Sequence, residues 1–311
     1  MRHLVSRSSL ITAALALIGF APGAVSPALA QCLSPGPACG EGIGPCHCGD
    51  TVLTSTKLNG SDPVLNAACP RDGLFVTAGV KLTIGGAVRA AAGNACSGIV
   101  VLPEATDVTV TTGKIIGFLT GLDAFSFEGG VTNSTFSRLQ IEGGEVCLFV
   151  TGDDNAIESN HVTGCEFRGM DIRGDRNRLS LNRAEDSGLG FSTLGTGNVV
   201  SRNVALRNQG DGFAIAGAEA AVESNQAKHN GLEGFFIEGF GHHATLNIAE
   251  SNTNGFRNTF STFSVYSRNR SNYNTAFGII DQGILFNDNV YSANLCTGNG
   301  AGNSEPSGLC R

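Results

Sequence analysis

The sequence predicts an all-β solenoid, a parallel β-helix of about nine to eleven coils between Thr51 and Leu295. Three observations predict it. A glycine recurs at Gly152, Gly174, Gly195, Gly217 and Gly239, at spacings of 22, 21, 22 and 22 residues. The strings before the last four read GMDIRG, GFSTLG, GFAIAG and GFFIEG. Asparagines fall in columns at the same period. A unit this short cannot bury its apolar side chains alone, so successive units must stack.

Each coil reads as short strands joined by bends. Helices are disfavoured, because Asn, Gly, Thr and Ser are dense and no 3.6-residue period persists. Three columns of expected inward residues run through the chain. One is Ile157, Leu179, Val200, Val222, Ala244 and Tyr266. The second is Val162, Ala184, Ala205, Ala227 and Ala249, and the third is Met170, Phe191, Phe213, Phe235 and Phe256. The asparagines form three registers. Asn155, Asn177 and Asn198 are the first. Asn160, Asn182, Asn203, Asn225, Asn247, Asn269 and Asn289 are the second. Asn208, Asn230, Asn252, Asn274 and Asn294 are the third. At each bend an inward Asn is expected to bond to its equivalents above and below, satisfying backbone groups that the bend leaves unpaired.

The ends read differently. Residues 1–30 combine Arg2, His3 and Arg7, an apolar run from Leu10 to Phe20, and the small residues Ala28, Leu29 and Ala30. This is the pattern of a cleaved secretory signal, too short in its apolar part to span a membrane. The expected destination is the periplasm or the exterior, with no transmembrane segment. Residues 31–69 hold five of the ten cysteines and are expected to cap the solenoid, because its open edge must be covered. Residues 70–295 would be the β-helix and 296–311 a C-terminal disulfide loop. An even cysteine count in an exported chain argues for disulfides. The expected pairs are Cys48–Cys69, Cys147–Cys165 and Cys296–Cys310, with Cys32, Cys39, Cys46 and Cys96 left open. The CHC string at Cys46, His47 and Cys48 has no matching second half, so no metal is expected, and no cofactor.

Lys and Arg number 20 against 27 Asp and Glu, a net charge of −7. The leader removes Arg2 and Arg7 and no acid, making the remainder more negative. Such a chain is a poor partner for nucleic acid or an anionic membrane. A monomer is expected.

The pattern N-x-V/I/L-x-x-N-x-apolar-x-x-N, followed by G-F or G-I, resembles the right-handed parallel β-helix repeat of the pectin-lyase-like superfamily. CGDTV at 48–52, with Cys69 ahead of GLFVTAGVKLTIGG, resembles the N-terminal cap of bacterial secreted β-helix proteins. The resemblance covers roughly residues 48–295, by repeat period. It implies the fold and its right hand. It implies no single activity, because the fold carries lyases, hydrolases, epimerases, adhesins and binding scaffolds.

Paired carboxylates are the tools of glycosidases, and TGDDNAIESN at 151–160 contains Asp153 and Asp154. Their slot is filled by GDRN, GTGN and GAEA in the next three coils, which marks it as a solvent turn. Asp154 is expected to pair with Arg176 one coil on. Related polygalacturonases carry their acids before the strand, with a Gly-His-Gly and an Arg-x-Lys in later coils. Here the acids follow the strand, the GHH at 241–243 is a single echo, and Arg-x-Lys is absent.

The candidate catalytic residues are Asp211, Glu233, His229 and Arg207. Asp211 and Glu233 hold equivalent positions on successive coils, and carboxylates one strand apart fit a retaining glycosidase or a pair with one raised pKa. His229 would serve as a base, and Arg207 would neutralise a uronate carboxylate. Stacked surface charges are the plainer explanation of the same columns. Trp is absent, and Phe236 and Phe240 are the outward aromatics expected near this face. The expected function is non-catalytic binding of a polysaccharide or surface polymer along the solenoid. The alternatives are a polysaccharide-active lyase, hydrolase or epimerase, and a structural or adhesive secreted protein.

Overall fold

A computed structural model describes residues 32, 34–94, 96–126, 129–283 and 288–311. The expected leader at 1–30 lies outside them. The chain is a right-handed parallel β-solenoid of about 11 turns, with one short helix among the described residues, at Pro63–Asn66. Each regular coil contributes one longer strand to a thirteen-stranded sheet. Arg168–Arg173, Leu189–Thr196, Phe213–Ala218, Glu233–Phe240 and Asn254–Thr262 are successive members. Two three-residue strands complete the coil, as Arg178–Ser180 and Arg183–Glu185 do, each pairing in parallel with its equivalent one coil on.

All three expected apolar columns are inside, each residue at most 1% exposed. Phe191, Phe213, Phe235 and Phe256 stack with ring centroids 4.7–4.8 Å apart, which is the strand spacing itself. Burying each ring contributes on the order of 1.5–3 kcal/mol. The longer strand lies close against the alanine column. A Cβ on Gly212 would stand 3.0 Å from Ala227 Cβ and 2.8 Å from Asn230 Nδ2. Small residues on both sides therefore set the thickness of the coil.

The three bends of a coil share one construction. A residue in the left-handed region precedes an inward ladder residue. Arg176 (φ 55°) precedes Asn177, Leu181 (φ 58°) precedes Asn182, and Arg207 (φ 54°) precedes Asn208. Left-handed backbone costs a non-glycine residue about 1–2 kcal/mol. The ladder offsets it. Asn247 Oδ1 accepts the backbone N–H of Asn225 at 2.9 Å and its side-chain amide at 3.0 Å. Asn247 Nδ2 donates to Val222 O at 2.8 Å and to Asn269 Oδ1 at 3.1 Å. Every polar atom of the side chain is thus bonded, with none exposed to water.

The last coil corrects the expected columns. Asn289 accepts from Ser264 N–H and so ends the first register, not the second. Asn294 continues from Asn269, and Asn299 from Asn274. The step between equivalents here is 25 residues rather than 22. Because the registers are five residues apart, a coil of unexpected length makes one register look like the continuation of its neighbour.

The expected disulfides Cys48–Cys69, Cys147–Cys165 and Cys296–Cys310 are formed, and the open four pair as Cys32–Cys96 and Cys39–Cys46. Cys46 and Cys48 are therefore both oxidised, so the CHC string offers no thiolate. Ala38–Cys39 pairs with Thr51–Val52 at one end of the large sheet. Gly302–Glu305 pairs with Phe277–Gln282 at the other. Among the described residues no helix is long and apolar enough to cross a membrane.

Candidate functional site

Alternation along a strand sends every second side chain of the large sheet outward. One outward row runs in register through Asp123, Phe149, Asp171, Ser192, Ala214, Phe236 and Arg257. A parallel row holds Arg168, Leu189, Asp211, Glu233 and Asn254, and another holds Arg173, Leu194, Ala216 and Glu238. Ser192, Ala214 and Ala216 are small. Larger side chains stand on the coils to either side, so these small residues floor a saddle in the face, with the exposed Leu194 beside Ala216.

One side of the saddle is a basic cluster around a buried acid. Asp171, 2% exposed, binds Arg168 Nη1 at 2.5 Å and Arg173 Nη2 at 2.8 Å. The Arg173 guanidinium lies 5.0 Å from the centroid of Phe149, within cation–π range. Two arginines from the same strand thus grip one buried carboxylate.

The other side carries the sequence-predicted acids. Asp211 Oδ1 accepts the backbone N–H of Glu233 at 2.9 Å, which holds the two residues together across the coils. Glu233, 6% exposed, receives Arg257 Nη1 at 2.9 Å and Asn254 Nδ2 at 3.4 Å. Burial raises the Asp211 carboxyl from 3.8 to about 6. The Glu233 N–H bond opposes the rise, the Glu233 charge adds to it, and Arg257 opposes it. One acid near neutrality thus adjoins a second that is paired to a guanidinium.

His229 and Arg207 stand on the adjacent bend. Arg207 grips Asp186 through two 2.8 Å bonds and reaches Glu185 at 3.0 Å. His229 is exposed, with left-handed backbone at φ 56°. The bonded unit on the face is Asp211, Glu233 and Arg257. Sequence reasoning missed Arg257, as it missed the roles of Arg168, Asp171 and Arg173. Their signal was the alternation within strings such as GMDIRG, whose third and fifth residues, Asp171 and Arg173, are outward and do not repeat.

The aromatic expectation needs extension. Phe240 is 51% exposed and Phe236 is half-buried on the face, as expected. Phe149 also faces outward, and Phe260 and Phe263 are exposed as well.

The acidic turn and the histidine echo resolve geometrically. Asp154 makes two 2.8 Å bonds to Arg176, and Asp153 Oδ1 accepts Asp175 N–H at 2.8 Å. Hydrogen bonding to Arg176 lowers the Asp154 pKa. His242 is fully buried and takes an asparagine's place in the first register. Its Nδ1 accepts Ala220 N–H at 3.2 Å, and its Nε2–H donates to Glu238 O at 3.0 Å. That pair of bonds requires the neutral ring, and burial lowers its pKa.

A family described as "Right handed beta helix region" matches residues 124–271. No curated protein matches the chain. Among solved structures, the chain is similar to the catalytic domain of a GH87 alpha-1,3-glucanase in complex with tetrasaccharides. The identity is 10%, covering 83% of this chain and 67% of that one, with a TM-score of 0.48. It is also similar to the periplasmic alginate epimerase AlgG, at 13% identity, 80% of each chain and a TM-score of 0.46. A third is the A-module of an Azotobacter vinelandii mannuronan C-5 epimerase, at 12% identity, 82% of this chain, 84% of that one and a TM-score of 0.40.

Proposed function

We propose that this is an exported β-helix protein that binds a polysaccharide across the outer face of its large sheet, without chemical conversion. One observation carries the reading: the registered row Phe149, Asp171, Ser192, Ala214, Phe236 and Arg257. Aromatic rings stand at both ends of a floor of small residues. Four strand spacings separate Phe149 from Phe236, about 19 Å, enough for several sugar rings laid along the axis. The Phe236 ring offers an apolar face to a sugar, Phe149, packed between Phe125 and the Arg173 guanidinium, offers its edge, and the charged groups beside them supply hydrogen bonds to hydroxyls. Five disulfides among the described residues suit an oxidising compartment outside the cytoplasm.

A glycan array followed by calorimetry tests this. Wild type is expected to bind at least one polysaccharide without changing its length or composition. Ala214→Trp, which fills the saddle on its outward side, is expected to abolish that binding while the fold persists. Equal binding by wild type and variant would refute the proposed face.

The Asp211 carboxyl near 6 favours a second reading, a glycan hydrolase. Asp211 would donate a proton, and Glu233, bonded to Arg257, would be the second carboxylate. His229 and Arg207 would act from the neighbouring bend, His229 as base and Arg207 on a substrate carboxylate. Release of reducing ends by wild type and its loss in Asp211→Asn would establish this reading over pure binding.

A further inference from the structure

The short-strand wall of the solenoid, away from the large sheet, contains a hollow of about 410 Å³ whose lining includes Arg178, Arg202, Glu158, Glu223, Ser180 and Ser201. Glu158, Ser180, Ser201 and Glu223 are successive members of one outward row. The two serines open the floor, and the glutamates close its ends about three strand spacings apart, roughly 14 Å. Arg178 stands in the next row, and Arg202 on the bend that follows Ser201. Both arginines are exposed.

These four charges are unengaged. Among the described residues, neither guanidinium and neither glutamate bonds to another side chain. Elsewhere on the central coils the arginines are engaged: Arg176 with Asp154, Arg183 with Glu185, Arg207 with Asp186 and Arg257 with Glu233. A hollow flanked by two free guanidinium forks, two acceptor-only carboxylates and two hydroxyls has a chemical complement. The forks match a planar or tetrahedral oxyanion, and the carboxylates accept from hydroxyls.

We propose that this hollow binds an anionic group, carboxylate or sulfate, carried on a hydroxyl-rich ligand. The oxyanion lies between Arg178 and Arg202, and the ligand's hydroxyls donate to Glu158 and Glu223. The site is on a different wall from the saddle and does not depend on the reading given to that face.

Calorimetric titration of the full chain with glucuronate, glucose 6-sulfate and neutral glucose is the test. At least one of the two anions is expected to bind, and glucose is expected not to. The anion that binds identifies the oxyanion. Arg178→Gln and Arg202→Gln are each expected to weaken binding about ten-fold, the scale of one charge-assisted hydrogen bond. Arg268→Gln, an exposed arginine outside the hollow, is expected to leave it unchanged. All three positions are exposed, so the variants should fold, and circular dichroism checks that they do. Binding that survives both Arg178→Gln and Arg202→Gln would overturn the proposal. So would binding of glucose as strong as that of the anions, or failure of both anions to bind.

Discussion

Cys147 and Cys165 occupy the two positions that Gly190 and Asn208 occupy two coils later. A Cβ on Gly190 would lie 2.9 Å from Asn208 Nδ2, and the same contact recurs between Gly212 and Asn230 and between Gly234 and Asn252. Each pair is 18 residues apart, which is also the separation of the disulfide. The bridge therefore takes the place of a contact that the repeat already makes. It does not staple one coil to the next.

That equivalence predicts the outcome of removing the bridge. Cys147→Ala with Cys165→Ala should lose about 2–4 kcal/mol in urea denaturation. Cys147→Gly with Cys165→Asn should lose less, because it restores the repeat's own pair. Equal losses would show that the two positions are not interchangeable.

Asn247→Ala should cost at least about 2 kcal/mol. It removes an acceptor that serves two groups of Asn225 and leaves buried amides unpaired. Asp153→Ala, in a bend where its side chain is 42% exposed, should change stability by less than about 1 kcal/mol. Thermal melts of the two variants check the contrast, and a neutral Asn247→Ala would disprove the ladder's contribution.

His242 predicts a pH dependence. Its folded pKa lies below the ordinary 6.5, so the unfolded chain binds the extra proton first. The stabilisation is complete above pH 6.5 and is lost as the pH falls towards the folded pKa. His242→Asn keeps a ladder residue without the titration. Its stability should therefore be flatter than wild type below pH 6.5, as read from denaturation midpoints.

Asp211 should titrate near 6 by carboxyl-carbon NMR. Its pKa is raised on folding, so its contribution to stability is present below 3.8 and lost as the pH rises through about 6. Arg257→Ala removes an opposing positive charge and should move the midpoint upward. Glu233→Gln removes a repelling negative charge and should move it downward. A midpoint near 4 in wild type would contradict the burial of this group.

The inward half of this protein was legible because equivalent residues stack one strand apart. Phe191, Phe213 and Phe235, or Asn225, Asn247 and Asn269, must each fit their own kind, so the period is written in the chain. Asp153 and Asp154 could be recognised as a turn for the same reason, since the slot varies behind a constant Gly. The outward half carries no such constraint. Glu233 and Arg257 meet across 24 residues, and Arg178 and Arg202 flank one hollow from different rows. Their neighbours are set by register and bend geometry, which side-chain spacing alone does not report. Asn289 is the intermediate case: its type marked it as a ladder residue, but only the length of the last coil decided which ladder. The sequence by itself determined the stack, its period and its bonded interior, because burial requires repetition. Tertiary structure alone decided which exposed charges pair and which stay free, because solvent accepts either.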